Sequence, residues 1–312
     1  MEGVKGIFTG GAMDQLKVAA ASVRNLIGQS DASIANMRKW GQLAADKGAE
    51  LILFPELNLS GHIRASIVRE IAETVPGPST EKVIRLADEL RMAISFGMIE
   101  REQADLYCTH VLVNARGVIG RQRKIHVPAQ EQAFWSAGDS IDVFDIGKAK
   151  VGITACRDSF FDEMTRTLYF KGAEIVLMPF SYYNVPRSQY LKESIHGMSI
   201  IKSCWTNGFF GVVCNSAEGR EPNEWEPRGS TFPGWAGIIS PWGRVITFVD
   251  AEGNDESLVV EEIGPEELED RRSHPNFLAK ELRPELYQFT GSERSSIALM
   301  FSSGRGKGER ET

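Results

Sequence analysis

Cys156 stands at a position where a thiol can act as a nucleophile. It ends an apolar strand candidate at 151–155, and Arg157-Asp158-Ser159 then leads into a helix that contains Phe161. Backbone N–H groups and the helix dipole favour a thiolate between a strand and a helix N-terminus. The alternative interpretation is a small buried hydrophobic residue, which is the role of most free cysteines.

A cysteine nucleophile requires a base and a group that stabilises the oxyanion. None of the five histidines is distinguished by its position, whereas Glu56 and Lys124 are. Glu56 follows a buried strand directly, so its carboxylate can enter a cleft at the sheet edge. Lys124 lies in the basic segment RQRKIH (121–126). The alternative for Glu56 is a surface carboxylate that caps a loop. The alternative for Lys124 is a position in a solvated run of charges.

The elements that must position these side chains include a unit that occurs twice. KGAELILFP (47–55) and KGAEIVLMP (171–179) each follow a helical pattern. Each copy predicts the end of a helix at glycine, then a buried strand, then proline. Two copies indicate internal pseudo-symmetry, not a solenoid, which needs at least three repeats. Glu56 follows the first proline and Phe180 the second, so the unit does not need a carboxylate there to fold.

Helix and strand patterns alternate along the chain, but hairpins are mixed in with them. A further helix is predicted at 188–207, followed by a buried strand at 209–214, and Pro241-Trp242-Gly243 predicts a turn between two strands. This arrangement favours mixed α/β structure, with mixed sheets covered by helices. We predict a single domain over 1–302 and a disordered polar tail at 303–312.

Composition excludes several classes of protein. Hydrophobic residues make up 42% and charged residues 25%, values typical of soluble globular proteins. The 35 lysines and arginines against 42 aspartates and glutamates give a net charge of −7. This mild acidity argues against nucleic-acid partners and anionic membranes.

The four cysteines show no spacing typical of a zinc site or a disulfide framework. Cys108, Cys204 and Cys214 are interpreted as packing residues, and we expect reduced thiols in a cytoplasmic protein. The sequence shows neither a signal-peptide pattern nor an apolar run long enough to span a membrane.

Three segments of this chain resemble the signature segments of the nitrilase superfamily of carbon–nitrogen hydrolases. They are FPELNLSG (54–61), RKIHVP (123–128) and ITACRDSFFDE (153–163). The similarity continues through KGAEIVLMP, GWAGIISPWGRVI (234–246) and RPELY (283–287), and it covers roughly residues 16 to 290. Three separate motifs in the correct order are a specific signal, whereas one alone would be weak.

The resemblance implies a four-layer α-β-β-α sandwich with two pseudo-symmetric halves and a Glu–Lys–Cys triad. The triad residues would be Glu56, Lys124 and Cys156, and a second family glutamate matches Glu131. Glu56 would take the thiol proton and later activate water, and Cys156 would form a thioester. Lys124 and the backbone N–H of Arg157 would stabilise the oxyanion. A lysine ammonium beside the thiol would lower the cysteine pKa.

Several residues are candidates for contact with the substrate. Arg157 stands where the family often has an aromatic residue or asparagine, and its guanidinium can receive a substrate carboxylate or pair with an aspartate outside the pocket. Trp135 either walls the site or packs in the core. Tyr182 and Asn184 follow the second KGAE strand and should lie at the sheet edge near Cys156. His126 either orients Lys124 or is a buried histidine with satisfied hydrogen bonds.

The function expected from this resemblance is cysteine-dependent hydrolysis of a small amide or N-carbamoyl compound with release of ammonia. Amides and N-carbamoyl compounds are expected ahead of nitriles, because those branches form the larger part of the family. The alternatives are nitrile hydrolysis, acyl transfer to an amine, and a non-catalytic interaction protein on the same fold. This chemistry needs neither a metal nor an organic cofactor. The family commonly forms dimers or larger assemblies, so we expect a homo-oligomer.

Overall fold

Two six-stranded mixed sheets form the centre of the structure. The computed structural model describes residues 13–182, 199–220, 229–250 and 255–282. In chain order the strands are β1 (Leu16–Ser22), β2 (Leu51–Leu53), β3 (Ala93–Glu102), β4 (Asp105–Asn114), β5 (Gly117–Arg123), β6 (Val143–Asp145), β7 (Lys150–Ile153), β8 (Ile175–Phe180), β9 (Phe210–Asn215), β10 (Ala217–Arg220), β11 (Ser230–Pro233), β12 (Trp235–Ile239), β13 (Val245–Asp250) and β14 (Ser257–Ile263).

Helices lie outside the two sheets. Among the described residues they are α1 (Ser30–Asp46), α2 (Val68–Ile71), α3 (Pro78–Leu90), α4 (Asp162–Phe170), α5 (Ile201–Asn207) and α6 (Pro265–Ser273), with a 3-10 helix at Cys156–Phe160. Residues Leu278–Glu281 form a further 3-10 helix. Within the described ranges, no helix combines the length and the apolar character needed to cross a membrane.

Each sheet combines a parallel centre with antiparallel edges. The first sheet has the order β14-β1-β2-β3-β4-β5 and the second β13-β12-β9-β8-β7-β6. Strands β1, β2 and β3 run parallel, as do β7, β8 and β9, and the other pairs are antiparallel. Strands β10 and β11 form a separate antiparallel ribbon. The predicted mixed sheets are therefore confirmed.

The alternation of side chains along the central strands produces four layers. Val18 and Leu53 of the first sheet pack in one cluster with Ile153 and Val212 of the second, so these faces bury each other. Successive side chains of a strand point to opposite faces of the sheet, so the residues next to them in sequence point outward. The structure thus has the α-β-β-α sandwich that the family resemblance implies.

The outer faces of the sheets are covered by helices. On the first sheet Ala19 and Ile52 pack with Met37 of α1 and Val83 of α3. On the second sheet the matching faces of β8 and β9 pack against α4 and α5 through residues that include Val176, Val213, Met164 and Cys204.

The duplicated KGAE unit has the same structure in both copies. Gly48 and Gly172 end their helices with positive φ angles of 82° and 90°, a conformation that favours glycine. The following glutamates, Glu50 and Glu174, both accept hydrogen bonds from backbone N–H groups, at 3.4 Å from Lys17 and 2.8 Å from Lys150. The two copies therefore start the parallel part of the two sheets in the same way.

Two sequence predictions around Cys156 differ from the structure in their boundaries. The strand predicted at 151–155 ends at Ile153, and the helix predicted to contain Phe161 begins at Asp162. A 3-10 helix occupies Cys156–Phe160 between them. Of the helix predicted at 188–207, residues 188–198 lie outside the described residues. The RPELY segment and the tail at 303–312 also lie outside them.

The described residues up to Phe277 form one compact unit, and the 3-10 helix Leu278–Glu281 belongs to a second one. The single domain over 1–302 stays a prediction.

Candidate active site

The loop that carries Glu56 is fixed against strand β3. The amide oxygen of Asn58 accepts a hydrogen bond from the backbone N–H of Gly97 at 2.9 Å. A Cβ atom at Gly97 would lie 2.1 Å from the backbone nitrogen of Leu57, so only glycine allows the loop to approach β3 this closely. Glu56 consequently has a fixed backbone at the edge of the sheet.

Lys124 follows the last residue of strand β5 and is separated from the arginines of its basic segment. Arg121 and Arg123 form ion pairs with the buried carboxylate of Glu100, which lies 2.6 Å from Arg123, and with Glu102. Lys124 is instead 1% exposed. The segment is therefore not a solvated run of charges.

Cys156 begins the 3-10 helix after strand β7 and has a positive φ angle of 48°. This conformation is uncommon for a residue other than glycine, and such residues concentrate at functional sites. The hydroxyl groups of Thr154 and Ser159 lie 2.7 Å apart and hold the two sides of the turn together. The thiol is therefore presented by a constrained turn between strand and helix.

Asp158 joins the segment after Lys124 to the segment after Cys156. Its buried carboxylate accepts hydrogen bonds from the backbone N–H of Ile125 and, at 2.8 Å, from that of His126, and it lies 2.8 Å from His126 Nδ1. These contacts identify Asp158 as a positioning residue for the two segments. The His126 ring contacts Asp158 and also stacks on the ring of Phe161.

One buried cluster contains all four predicted catalytic residues, namely Glu56, Lys124, Cys156 and Glu131. The Lys124 Nζ atom is 2.9 Å from Glu56 Oε1 and 2.8 Å from Glu131 Oε2. All four side chains are buried, and Cys156 is 8% exposed. His62 completes the cluster, with Nε2 at 3.7 Å from Glu131 Oε1.

The electrostatics of the cluster favour a charged lysine and a protonated thiol. Burial alone would lower the pKa of Lys124, but Glu56, Cys156 and their neighbours raise it well above the usual value. Burial raises the pKa of Cys156, and Glu56 raises it further, which outweighs Lys124 and the backbone N–H of Ser181. Lys124 lowers the pKa of Cys156, as expected, but desolvation outweighs this effect. The nucleophile therefore needs a base.

Glu131 is held as a carboxylate. Burial would raise its pKa, but the hydrogen bond from His62 and the charge of Lys124 lower it to about 2. A carboxyl group with a lowered pKa in the folded state stabilises the fold above its unfolded pKa, and this contribution is lost as the pH falls toward the folded value.

We expect Glu131→Gln to destabilise the protein more at neutral pH than in acid. The loss of the carboxylate matters at pH 7, whereas at pH 3 the wild-type protein has already lost most of this contribution. The difference in free energy of unfolding should shrink by about 2 kcal/mol between these pH values. Urea unfolding of both proteins at each pH measures it. An equal difference at both values would contradict this account of Glu131.

A cavity of about 350 Å³ opens onto the cluster. In addition to Glu56, Lys124, Glu131 and Cys156, its lining residues are His62, Arg64, Pro128, Gln130, Arg157, Phe160, Ser181 and Tyr182.

Two of the predicted substrate-binding residues, Arg157 and Tyr182, line this cavity. Arg157 is exposed and has no hydrogen bond or ion pair with another described residue. Tyr182 is placed by Asn215, whose amide oxygen accepts the Tyr182 N–H at 2.8 Å. Trp135 is outside the lining and packs in a separate apolar cluster, and Asn184 lies outside the described residues.

The structure adds three residues that the sequence analysis did not select. His62 contacts Glu131, Ser181 contacts both the backbone and the carboxylate of Glu56, and the Cys108 thiol lies 3.5 Å from Glu56 Oε1. Ser181 had a detectable signal, because it is the first residue after strand β8 at the sheet edge. His62 and Cys108 had none. Among the described residues, no group of three or more histidine, cysteine, aspartate or glutamate side chains is arranged to hold a metal ion.

Comparison with known proteins shows what this chain is similar to. Residues 17–273 match the family model described as carbon-nitrogen hydrolase. A nitrilase from Pyrococcus abyssi is 30% identical over 279 residues, which cover 87% of this chain and 99% of that protein. An N-carbamoylputrescine amidase from Solanum lycopersicum is 26% identical, with 82% and 88% covered.

The fold is also found among solved structures. The crystal structure of a carbon-nitrogen hydrolase from Helicobacter pylori G27 superposes with a TM-score of 0.79 at 17% identity, and the match covers 88% of this chain and 97% of that one.

Proposed function

This chain belongs to the carbon–nitrogen hydrolase family of the nitrilase superfamily, and from that membership we propose that it hydrolyses a small amide or N-carbamoyl compound through a thioester on Cys156. The observation that carries the proposal is the buried ammonium of Lys124 between two carboxylates, beside a thiol on a constrained turn. Such a cluster is costly to bury, and perturbed buried groups in a cavity are typical of active sites.

In the first half of the proposed reaction, Glu56 removes the proton from the Cys156 thiol as the sulfur attacks the substrate carbonyl carbon. The C–S bond forms and the carbonyl electrons move to oxygen, which Lys124 and the backbone N–H of Arg157 stabilise. When the carbonyl is restored, the C–N bond breaks. Glu56 gives the proton to the leaving nitrogen, ammonia departs and a thioester remains.

In the second half, water takes the place of ammonia. Glu56 removes a proton from the water as its oxygen attacks the thioester carbon, and the same donors stabilise the oxyanion. The C–S bond then breaks, the proton returns to the sulfur and the acid product leaves. Glu131 holds Lys124 in place through both halves, because the Lys124 Nζ atom contacts the carboxylates of Glu131 and Glu56. His62 in turn contacts the other carboxylate oxygen of Glu131.

The proposed substrates are amides and N-carbamoyl compounds that also carry an acidic group. The relatives that are named N-carbamoylputrescine amidase support the N-carbamoyl class. Arg157 supports the proposal that the substrate carries an acidic group, because its guanidinium lines the cavity next to the nucleophile and has no partner among the described residues. Tyr182 lines the same cavity and is proposed to contact the substrate, as is Asn184 from its place in the sequence.

Replacing Arg157 with leucine is expected to reduce activity on charged substrates only. A charge-assisted hydrogen bond contributes about 1.5–3 kcal/mol, so kcat/KM for the monoamide of a dicarboxylic acid should fall by about 10- to 100-fold. The uncharged amide of the same chain length should change by less than about threefold. Ammonia release from this matched pair is the measurement. Equal losses on both amides would show that Arg157 does not recognise the carboxylate.

The experiment that tests the proposed function is ammonia release from a substrate panel. The panel contains simple amides and nitriles, each with and without a carboxylate, together with N-carbamoyl amino acids, which carry a carboxylate, and N-carbamoyl amines, which do not. Release from the amides or the N-carbamoyl compounds supports the proposal. Release from nitriles alone would favour nitrile hydrolysis, the second candidate, which the similarity to the Pyrococcus abyssi nitrilase supports. Added amines would reveal acyl transfer as new amide products.

Assembly and compartment are proposed mainly on the sequence argument. We propose a homo-oligomer in the cytoplasm that acts without a cofactor. The four cysteines are all free and buried, which is consistent with a reducing compartment.

A further inference from the structure

The two carboxylate oxygens of Glu56 have different surroundings. Oε1 accepts hydrogen bonds from the Lys124 ammonium at 2.9 Å and from the Cys108 thiol at 3.5 Å. Oε2 accepts one from the backbone N–H of Ser181 at 3.2 Å. Among the described residues Oε1 therefore has two donors and Oε2 has one, so Oε2 keeps more capacity to take up a proton.

Cys108 is suited to donate and not to react. It lies in strand β4, inside the sheet, with 2% of its surface exposed. Burial raises the pKa of Cys108 well above its usual value, and Glu56 raises it further. The sulfur keeps its proton, and a neutral S–H beside a carboxylate oxygen can only act as the donor.

We propose that Cys108 is a positioning residue for the base: its thiol, together with Lys124, occupies Oε1 and leaves Oε2 as the proton acceptor for Cys156. In the first step the S–H bond of Cys156 breaks and an O–H bond forms at Oε2. This inference rests on the proposed function in one respect, namely that Glu56 is the base.

The choice of sulfur has a consequence for the strength of the base. A hydrogen bond to a carboxylate stabilises its charged form and makes it a weaker proton acceptor. A thiol is a weak donor, so it orients Glu56 with little loss of basicity. A hydroxyl at this position would stabilise the charged form more, and a methyl group would not stabilise it at all.

Two substitutions at Cys108 should therefore shift the pH dependence in opposite directions. Cys108→Ala removes a donor, so the acid-side inflection for Cys156 activation should move to higher pH, by about half a unit. Cys108→Ser supplies a stronger donor, so the inflection should move below that of the wild type. The other charged groups around Glu56, namely Lys124, Cys156, Glu131 and His62, are unchanged in both variants.

The measurement is the rate at which iodoacetamide alkylates Cys156 between pH 4 and pH 9, followed by intact mass. Cys156→Ala identifies the labelled residue, and Cys204→Ala, the same change at a buried cysteine of α5, serves as the control. This readout needs no substrate, so a protein that hydrolyses no amide but shows the predicted order contradicts only the proposed function. The profile of kcat/KM for an amide should give the same order.

The predicted order of inflections is serine, then wild type, then alanine, from low to high pH, with Cys204→Ala at the wild-type value. If Cys108 has only a packing role, both Cys108 variants should shift the inflection in the same direction or leave it unchanged, because both lose the sulfur atom. Either of those results would overturn the proposal. If one variant does not fold, the direction of the other relative to the wild type decides.

Discussion

Replacing Cys156 with alanine is expected to abolish hydrolysis, with a fall in kcat of about 10⁴-fold or more, as for loss of a nucleophile that acts with a base as a unit. The fold should be retained, because alanine differs only by the sulfur atom and the positive φ angle of 48° is already imposed on a residue with a Cβ atom. Ammonia release and thermal unfolding of the same preparation measure both effects.

The control for this substitution is Cys204→Ala, which removes a fully buried thiol outside the residues that line the cavity. We expect its activity to stay within about twofold of the wild type, since it touches no reacting group. Retained turnover in a folded Cys156→Ala protein would refute the assignment of Cys156 as the nucleophile. Equal losses in both variants would point to a general effect of buried cysteines on packing.

Replacing Lys124 with methionine is expected to have the largest effect on stability. It removes the cation that lies within 2.9 Å of Glu56 and 2.8 Å of Glu131. Removal of one partner from a buried ion pair leaves an uncompensated charge and costs about 3–5 kcal/mol. Turnover should fall by about 10²-fold or more as well, since one oxyanion donor is lost. Urea unfolding at pH 7 gives the first effect, and ammonia release from the folded fraction gives the second.

The matched control is Lys82→Met, because Lys82 forms an ion pair with Asp31 in which both side chains are largely exposed. Exposed pairs contribute about 0–1 kcal/mol, so this variant should unfold almost like the wild type. A Lys124 variant no less stable than the Lys82 variant would mean that the buried carboxylates are neutral, and would contradict the charge arrangement described above.

Much of the fold could be predicted because its signals are local and repeated. The two KGAE segments predicted a unit of helix end, buried strand and sheet edge, and both copies fold in that way around Glu50 and Glu174. Apolar strands such as β2 and β8, buried on both faces, are typical of the centre of a covered sheet. The boundary errors occurred around Cys156, where a strained turn replaces the regular helix start that propensity favours.

The candidate site was less predictable, because its details depend on contacts between distant segments. Cys108 and Glu56 are 52 positions apart, and the contact between them arises from the pairing of strands. Trp135 is a residue that the sequence analysis selected but that does not line the cavity. An aromatic residue near Glu131 has the same appearance in the sequence whether it faces the cavity or the core. The direction of the Cys156 pKa also depends on desolvation by the whole fold, which sequence spacing does not reveal.

The central claim is that Cys156 carries the acyl group during turnover, and the mass of the reacting protein tests it most directly. The wild-type protein is mixed with its best amide substrate, quenched in acid at times from milliseconds to seconds, and analysed by intact mass and peptide mapping. We predict an adduct of the acyl mass on the peptide that contains Cys156, formed together with ammonia and absent from Cys156→Ala. An acyl group on another residue, or the same adduct in Cys156→Ala, would contradict the account.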